Sequence, residues 1–184
     1  MSDAETVAWA RDIAGALLWP LGRRWRHVQA VGALAESIAP AFGEQGSVLM
    51  AAAYLHDIGY APDLAFSGFH PRDGARHLRT QGYETLARLV AHHSGARVEA
   101  RLRHLDGFED DFPFLDSPLD QALTYCDLTT GPDGRRVTLE DRLDEITDRY
   151  GPEHTVSRAM SQARTELERA CTDTQRRLAR AGLG

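Results

Sequence analysis

Apolar residues recur along the chain at spacings of three and four, and period-two alternation is almost absent, so the pattern predicts helices nearly throughout and an all-α fold. Val7, Ala10, Ile13, Ala14 and Leu17 line one face of a helix over residues 4–18 that Pro20 stops, and a second, over 22–38, stops at Pro40. A third, over 47–58, ends at Gly59. His70 and Pro71 read as an N-cap followed by Pro at the first helical position of a helix to Thr80, and further helices follow over 84–93 and 97–105. The acidic, aromatic and aperiodic segment from Asp106 to Ser117 is read as a solvated connection, with a lid as the alternative. A helix over 118–129, a turn at Gly131-Pro-Asp-Gly134, a helix capped by Thr138 and Asp141 that runs to Tyr150, and a last helix over 153–181 complete the pattern. The narrow stripe of Val156, Met160, Ala163, Leu167 and Ala170 on that last helix is read as packing on the domain, with a homodimer seam as the alternative. No internal repeat or linker interrupts the 184 residues, so one domain is expected.

Placed on these helices, several polar residues fall on apolar faces. His27 shares a face with Val31, Leu34 and Ile38, which by itself describes an ordinary core histidine. His56 and Asp57 close an alanine-rich helix whose Leu49, Ala52 and Ala53 put His56 on the apolar side. An adjacent His and Asp at a buried helix end is costly unless both are paired or bind a cation. Asp127 lies beside the stripe of Leu119, Leu123 and Cys126, where a carboxylate needs an Arg, a cap or a metal. His70 heads its helix with the small Gly74 and Ala75 close behind, and ordinary N-capping competes with a ligand role. His92 and His93 end the next helix, with His93 on the cleaner apolar stripe of Leu86, Leu89 and Val90. Both remain candidates.

Composition narrows the chemistry. All 21 basic residues are Arg, so mechanisms that need a lysine are excluded, and any phosphate must be held by Arg or a metal. A net charge of −6 disfavours binding to a nucleic acid polymer. The longest apolar runs fall short of the ~20 residues that span a bilayer, and the first residues lack a basic signal-peptide start. A soluble, cytoplasmic protein without membrane contact is therefore expected. Cys126 and Cys171 form no C-x-x-C and are expected to be reduced.

In chain order the constellation is His27, His56-Asp57, His70, His92-His93 and Asp127. It is carried by R-H-V-x-x-V-x-x-L-A from Arg26, AAAYLHDIGY from Ala51, H-P-x-x-G-A from His70, A-H-H-S-G from Ala91 and Y-C-D from Tyr125. These motifs resemble the HD-domain superfamily of metal-dependent phosphohydrolases, over about residues 26–130. The resemblance implies a helical bundle with a metal site in its core, on which the helices over 138–181 pack. It also implies a four-ligand set of His27, His56, Asp57 and Asp127. Dinuclear members add two histidines, whose places match His70 and His92, with His93 as competitor or neighbour, and their H-D carboxylate, here Asp57, bridges the metals. The pattern is nearest to the bacterial symmetrical diadenosine tetraphosphate hydrolases, although its gaps differ from theirs. It lacks the long signature of the HD-GYP phosphodiesterases.

His and carboxylate ligands suit two divalent transition ions, Fe or Mn first, with Co, Ni or Zn as alternatives. Such a pair activates a water for in-line attack at phosphorus, so the expected activity is hydrolysis of a nucleotide or another small phosphate ester. Arg23 and Arg24, one turn before His27, are the first choice for substrate contacts, and Arg135 and Arg136 the second. Asp57 is the expected catalytic bridge, and His93, if not a ligand, the leaving-group acid or a phosphate contact. The alternatives are an HD-type diiron oxygenase that cleaves a C–C or C–P bond and a non-catalytic module that binds a nucleotide or metal.

Overall fold

The computed structural model describes residues 2–183 as α-helices joined by short 3₁₀ turns, with a lone antiparallel bridge between Thr130 and Arg136. Helix α1 (Asp3–Leu18) opens with a capping box in which Ser2 and Glu5 satisfy each other's backbone N–H groups. Helix α2 (Arg23–Ile38) starts from Gly22 with no side-chain cap. Both pack on α3 (Gly46–Leu55), whose Ala51, Ala52 and Ala53 are fully buried. Small side chains on every face let α3 run through the centre of the molecule.

The places where helices stop decide what reaches the interior. Helix α3 ends earlier than its apolar pattern suggests: His56 keeps helical angles as the C-cap, whereas Asp57, at φ −104° and ψ 6°, has left them. Helix α4 (His70–Thr80) begins on His70 itself, with Phe69 as the N-cap and Pro71 in the first turn, one position away from the predicted cap. Gly59 makes the close approach of α4 possible, because a Cβ there would lie 2.0 Å from the His70 carbonyl oxygen. Helix α5 (Glu84–His92) stops one residue before the predicted end, and His93 turns to ψ 144°. Helix α6 (Ala96–Leu102) follows at once.

The Asp106 to Ser117 segment departs from the solvated connection expected of it. It holds one turn of helix, α7 (Phe108–Asp111), and its Phe108 and Phe112 are buried in the main core. Aperiodic spacing hides anchors of this kind, since each Phe enters the core singly. Helices α8 (Pro118–Leu128) and α9 (Leu139–Tyr150) carry capping boxes at Ser117/Asp120 and Thr138/Asp141, and α10 (Thr155–Arg180) closes the fold. The stripe on α10 packs against α6 and α8 of its own chain. A second, smaller core of Leu128, Leu143, Ile146, Met160, Ala163 and Leu167 docks α9 and α10. Cys126 and Cys171 are free and buried, and no helix among the described residues is long and apolar enough to cross a membrane.

Candidate metal centre

Three buried histidines share one arrangement. The Nδ1–H of His27 donates to the Gly131 carbonyl (3.0 Å), that of His56 to Ala53 (2.7 Å) and that of His93 to Val90 (2.6 Å). Since a carbonyl only accepts, each Nδ1 carries the proton, and in the neutral ring Nε2 is a bare lone pair. All three Nε2 atoms turn toward Asp57 and Asp127. A histidine oriented by a backbone carbonyl through its far nitrogen is the usual setting of a metal ligand.

The separations suit shared ions. His27 Nε2 lies 2.9 Å from Asp127 Oδ1, and His56 Nε2 lies 3.4 Å from Asp57 Oδ2 and 3.8 Å from Asp127 Oδ1. On the other side, His70 Nε2 lies 3.3 Å from Asp57 Oδ1 and 3.2 Å from His93 Nε2, and His93 Nε2 lies 3.9 Å from the same oxygen. Two donors on one transition ion, each about 2.1 Å from it, stand about 3.0–3.4 Å apart. Lone pairs placed so closely repel unless a cation lies between them. His56 Nε2 is fully buried and has no hydrogen-bond partner. Burial opposes charge on His56, but Asp57 and Asp127 outweigh it and push the ring up to about 9. The electrostatics therefore favour positive charge at that point, as a proton or as a metal.

The donors fall into two groups, His27, His56 and Asp57 in one and Asp57, His70 and His93 in the other, and Asp57 belongs to both. Its Oδ1 faces His70 and His93, and its Oδ2 faces His56 and receives a 2.7 Å hydrogen bond from Arg24. Burial would raise the Asp57 carboxyl, but Arg24 and His56 hold it well below the usual carboxylate range. Asp127 accepts from Ser94 Oγ on its other oxygen, and positive charge at the His27 and His56 rings, as a proton or a metal, outweighs burial and holds its carboxyl below the usual range. Ser94 sits in the left-handed region at φ 53°, a conformation non-glycine residues rarely adopt, held by the turn that lets α6 follow α5.

The structure brings His27, His56, Asp57, His70, His93 and Asp127 together and takes His92 away. The His92 Nε2–H donates to the Phe112 carbonyl, its ring lies 5.2 Å from Phe108 and 5.3 Å from Phe114, and its buried Nδ1 has no partner. Because α5 ends at His92, adjacent side chains diverge: His92 still follows the helix, and His93, past its end, turns inward. His93 thus takes the place expected of His92. Burial, reinforced by His56 and His70, lowers His93 to about 4. At neutral pH its Nε2 has no proton to give, which counts against the acid role.

A cavity of about 290 Å³ opens over Asp57, His70, His93 and Asp127, and Arg24 and Tyr60 stand at its side. The Arg24 guanidinium lies 3.8 Å over the Tyr60 ring, which stacks on His70 at 3.9 Å. The other expected substrate arginines lie elsewhere. Arg23 is exposed and 3.9 Å from Glu145, and Arg135 is exposed beside Asp133. Arg136 donates to Thr129 Oγ1 and Tyr125 Oη. Neither Arg135 nor Arg136 reaches this cavity, because the bridge between Thr130 and Arg136 turns the 131–136 segment back along α8.

Three residues at the site were not singled out from sequence: Ser94, Arg142 and Arg149. Arg142 did carry a signal. It follows Leu139 by three and precedes Ile146 by four, which puts a charge on the apolar face of α9, and Arg149 repeats the position two turns on. Ser94 stands in the A-H-H-S-G motif, but its role depends on an unusual backbone angle that the motif does not reveal.

In comparison with known proteins, a family model described as HD domain matches residues 24–152. No curated protein and no solved structure matches the chain.

Proposed function

This chain belongs to the HD-domain family, and on that premise we propose that it is a metal-dependent phosphohydrolase acting on a nucleotide or another small phosphate ester. The observation that carries the proposal is Asp57, one carboxylate shared by two groups of histidine donors beneath an open cavity. In this reading His27, His56, Asp57 and Asp127 hold one ion, and Asp57, His70 and His93 a second. Neutral imidazoles and carboxylates suit Fe or Mn, with Co, Ni or Zn as alternatives. Bound there, divalent ions supply a water made nucleophilic at neutral pH and positive charge for the phosphoryl group.

The protein's own residues do the rest. The carbonyls of Gly131, Ala53 and Val90 hold three rings in the tautomer that presents Nε2. Ser94 fixes the rotation of Asp127, and Arg24 neutralises one oxygen of Asp57 while its guanidinium borders the cavity. A planar guanidinium is the natural partner of a phosphate in a chain without lysine. Tyr60, stacked on His70, keeps that ring against Asp57.

The test is metal analysis of anaerobically purified protein, followed by a panel of nucleotides and phosphomonoesters with Mn- or Fe-loaded enzyme. Phosphate release that is lost in Asp57→Ala is the expected result. Failure of every ester, or oxygen uptake with an organic phosphonate or a polyol, would overturn the hydrolase reading.

A further inference from the structure

Beside the metal cluster, on the His27 side, lies a second cavity of about 240 Å³. Of the seven residues around it, four are arginines, Arg23, Arg24, Arg142 and Arg149, and none is acidic. The carboxylates paired with these arginines are too few. Arg24 is matched by Asp57, but Arg142, Arg149 and Arg23 all turn to the single carboxylate of Glu145. Asp141, Asp144 and Asp148 lie with Glu145 along a separate open groove that Arg23 and Arg149 also border.

Two further observations point to an anion. The Arg142 side chain is only 8% exposed, yet its Nε–H has no hydrogen-bond partner. Its one carboxylate, Glu145, is shared with Arg149 and Arg23, so this buried guanidinium is incompletely neutralised and favours a further anion beside it. Secondly, Leu21, Arg23 and Arg24 bring the start of α2 to this cavity. That 16-residue helix has no side-chain cap and no acidic residue in its first turn. Backbone N–H groups at an uncapped helix start favour an anion and add to the arginines' field.

We propose that this cavity is a second anion subsite, in which Arg142, Arg149 and the start of α2 hold a phosphoryl group of the substrate other than the one cleaved. It rests on the phosphohydrolase reading and narrows it: the preferred substrates carry at least two phosphates. Arg24 and Arg142 border both cavities, so one molecule can reach from the metal cluster into the arginine pocket. Arg142 and Arg149 are specificity-determining residues in this account.

The first arm of the test uses chelator-treated protein, in which only the arginine pocket can hold phosphate. Orthophosphate at about ten times its Kd raises the melting temperature by about 3–5 °C over matched sodium chloride. Arg142→Met removes that shift, as does Arg149→Met, an exposed position whose variant folds independently of the buried one. The second arm compares ADP with AMP on the Mn-loaded protein. ADP binds at least about tenfold more tightly, and Arg142→Met abolishes the preference while AMP binding persists. No phosphate-specific shift in the wild type, or equal affinity for ADP and AMP, would overturn the proposal. The second of these results, with the shift intact, marks the pocket as a site for free phosphate instead. Failure of the hydrolase reading has a different signature: no ester is turned over, whatever the chelated protein does with phosphate.

Discussion

Across the cavity, the metal floor and the α9 wall hold their polar groups in different ways. On the floor, ring N–H groups of His27, His56 and His93 are committed to backbone carbonyls, and Ser94 fixes Asp127, so the donor atoms are aimed before any ligand arrives. On the wall, Arg142 and Arg149 share Glu145 through long side chains that can exchange one acceptor for another. Each region also belongs to a different packing unit. The floor is built on the main core, whereas α9 is docked by the small cluster around Leu143 and Leu167, and α10 joins both cores, the main one through Cys171 and Leu178. Labour is divided between them: the donors of the floor are preorganised, and the arginines of the wall are free to change partners.

The largest effect should come from the floor. Asp57→Ala removes the one carboxylate common to both donor groups, and turnover should fall by at least about 10³-fold, with metal lost from the purified protein. Next comes the wall's support: Leu167→Ala opens the small core and should cost about 2–5 kcal/mol in denaturant unfolding while leaving metal content unchanged. If that variant loses metal, floor and wall are not separable. Ser94→Ala releases one oxygen of Asp127 and should weaken metal affinity by about 10–100-fold, read by competition with a chromophoric chelator. His92→Gln should have the smallest effect, about 1 kcal/mol of stability with full metal content, because ring packing on Phe108 and Phe114 and the bond to Phe112 are at stake but no metal donor is. Metal loss in His92→Gln would place the ligand on the wrong one of the two adjacent histidines.

The same comparison explains what could be read from the chain. Helical register put His27 on the face of Val31 and Ile38, His56 and Asp57 where α3 unwinds, and Asp127 beside Leu123, but their grouping as one metal set came from the resemblance of the motifs to the HD-domain superfamily. Most of the helices follow directly from apolar spacing, Pro and the capping boxes. Periodicity favoured His93, on the stripe of Leu86, Leu89 and Val90, whereas the motif resemblance pointed to His92; the turn that sends His93 inward depends on ψ at His93 and a left-handed Ser94. Proximity in sequence does not say which arginines line the cavities. Arg135 and Arg136 follow Asp127 closely but are carried along α8, whereas Arg142 and Arg149 arrive from α9 through tertiary packing. Phe108 and Phe112 were hidden in an aperiodic segment that lacks the repetition on which pattern reading relies.

Whether Asp57 joins two metal subsites is decided by elemental analysis of anaerobically Mn-reconstituted protein. The account predicts about two ions per chain in the wild type and almost none in Asp57→Ala, with the variant's helical content unchanged. Full metal content in folded Asp57→Ala would contradict it.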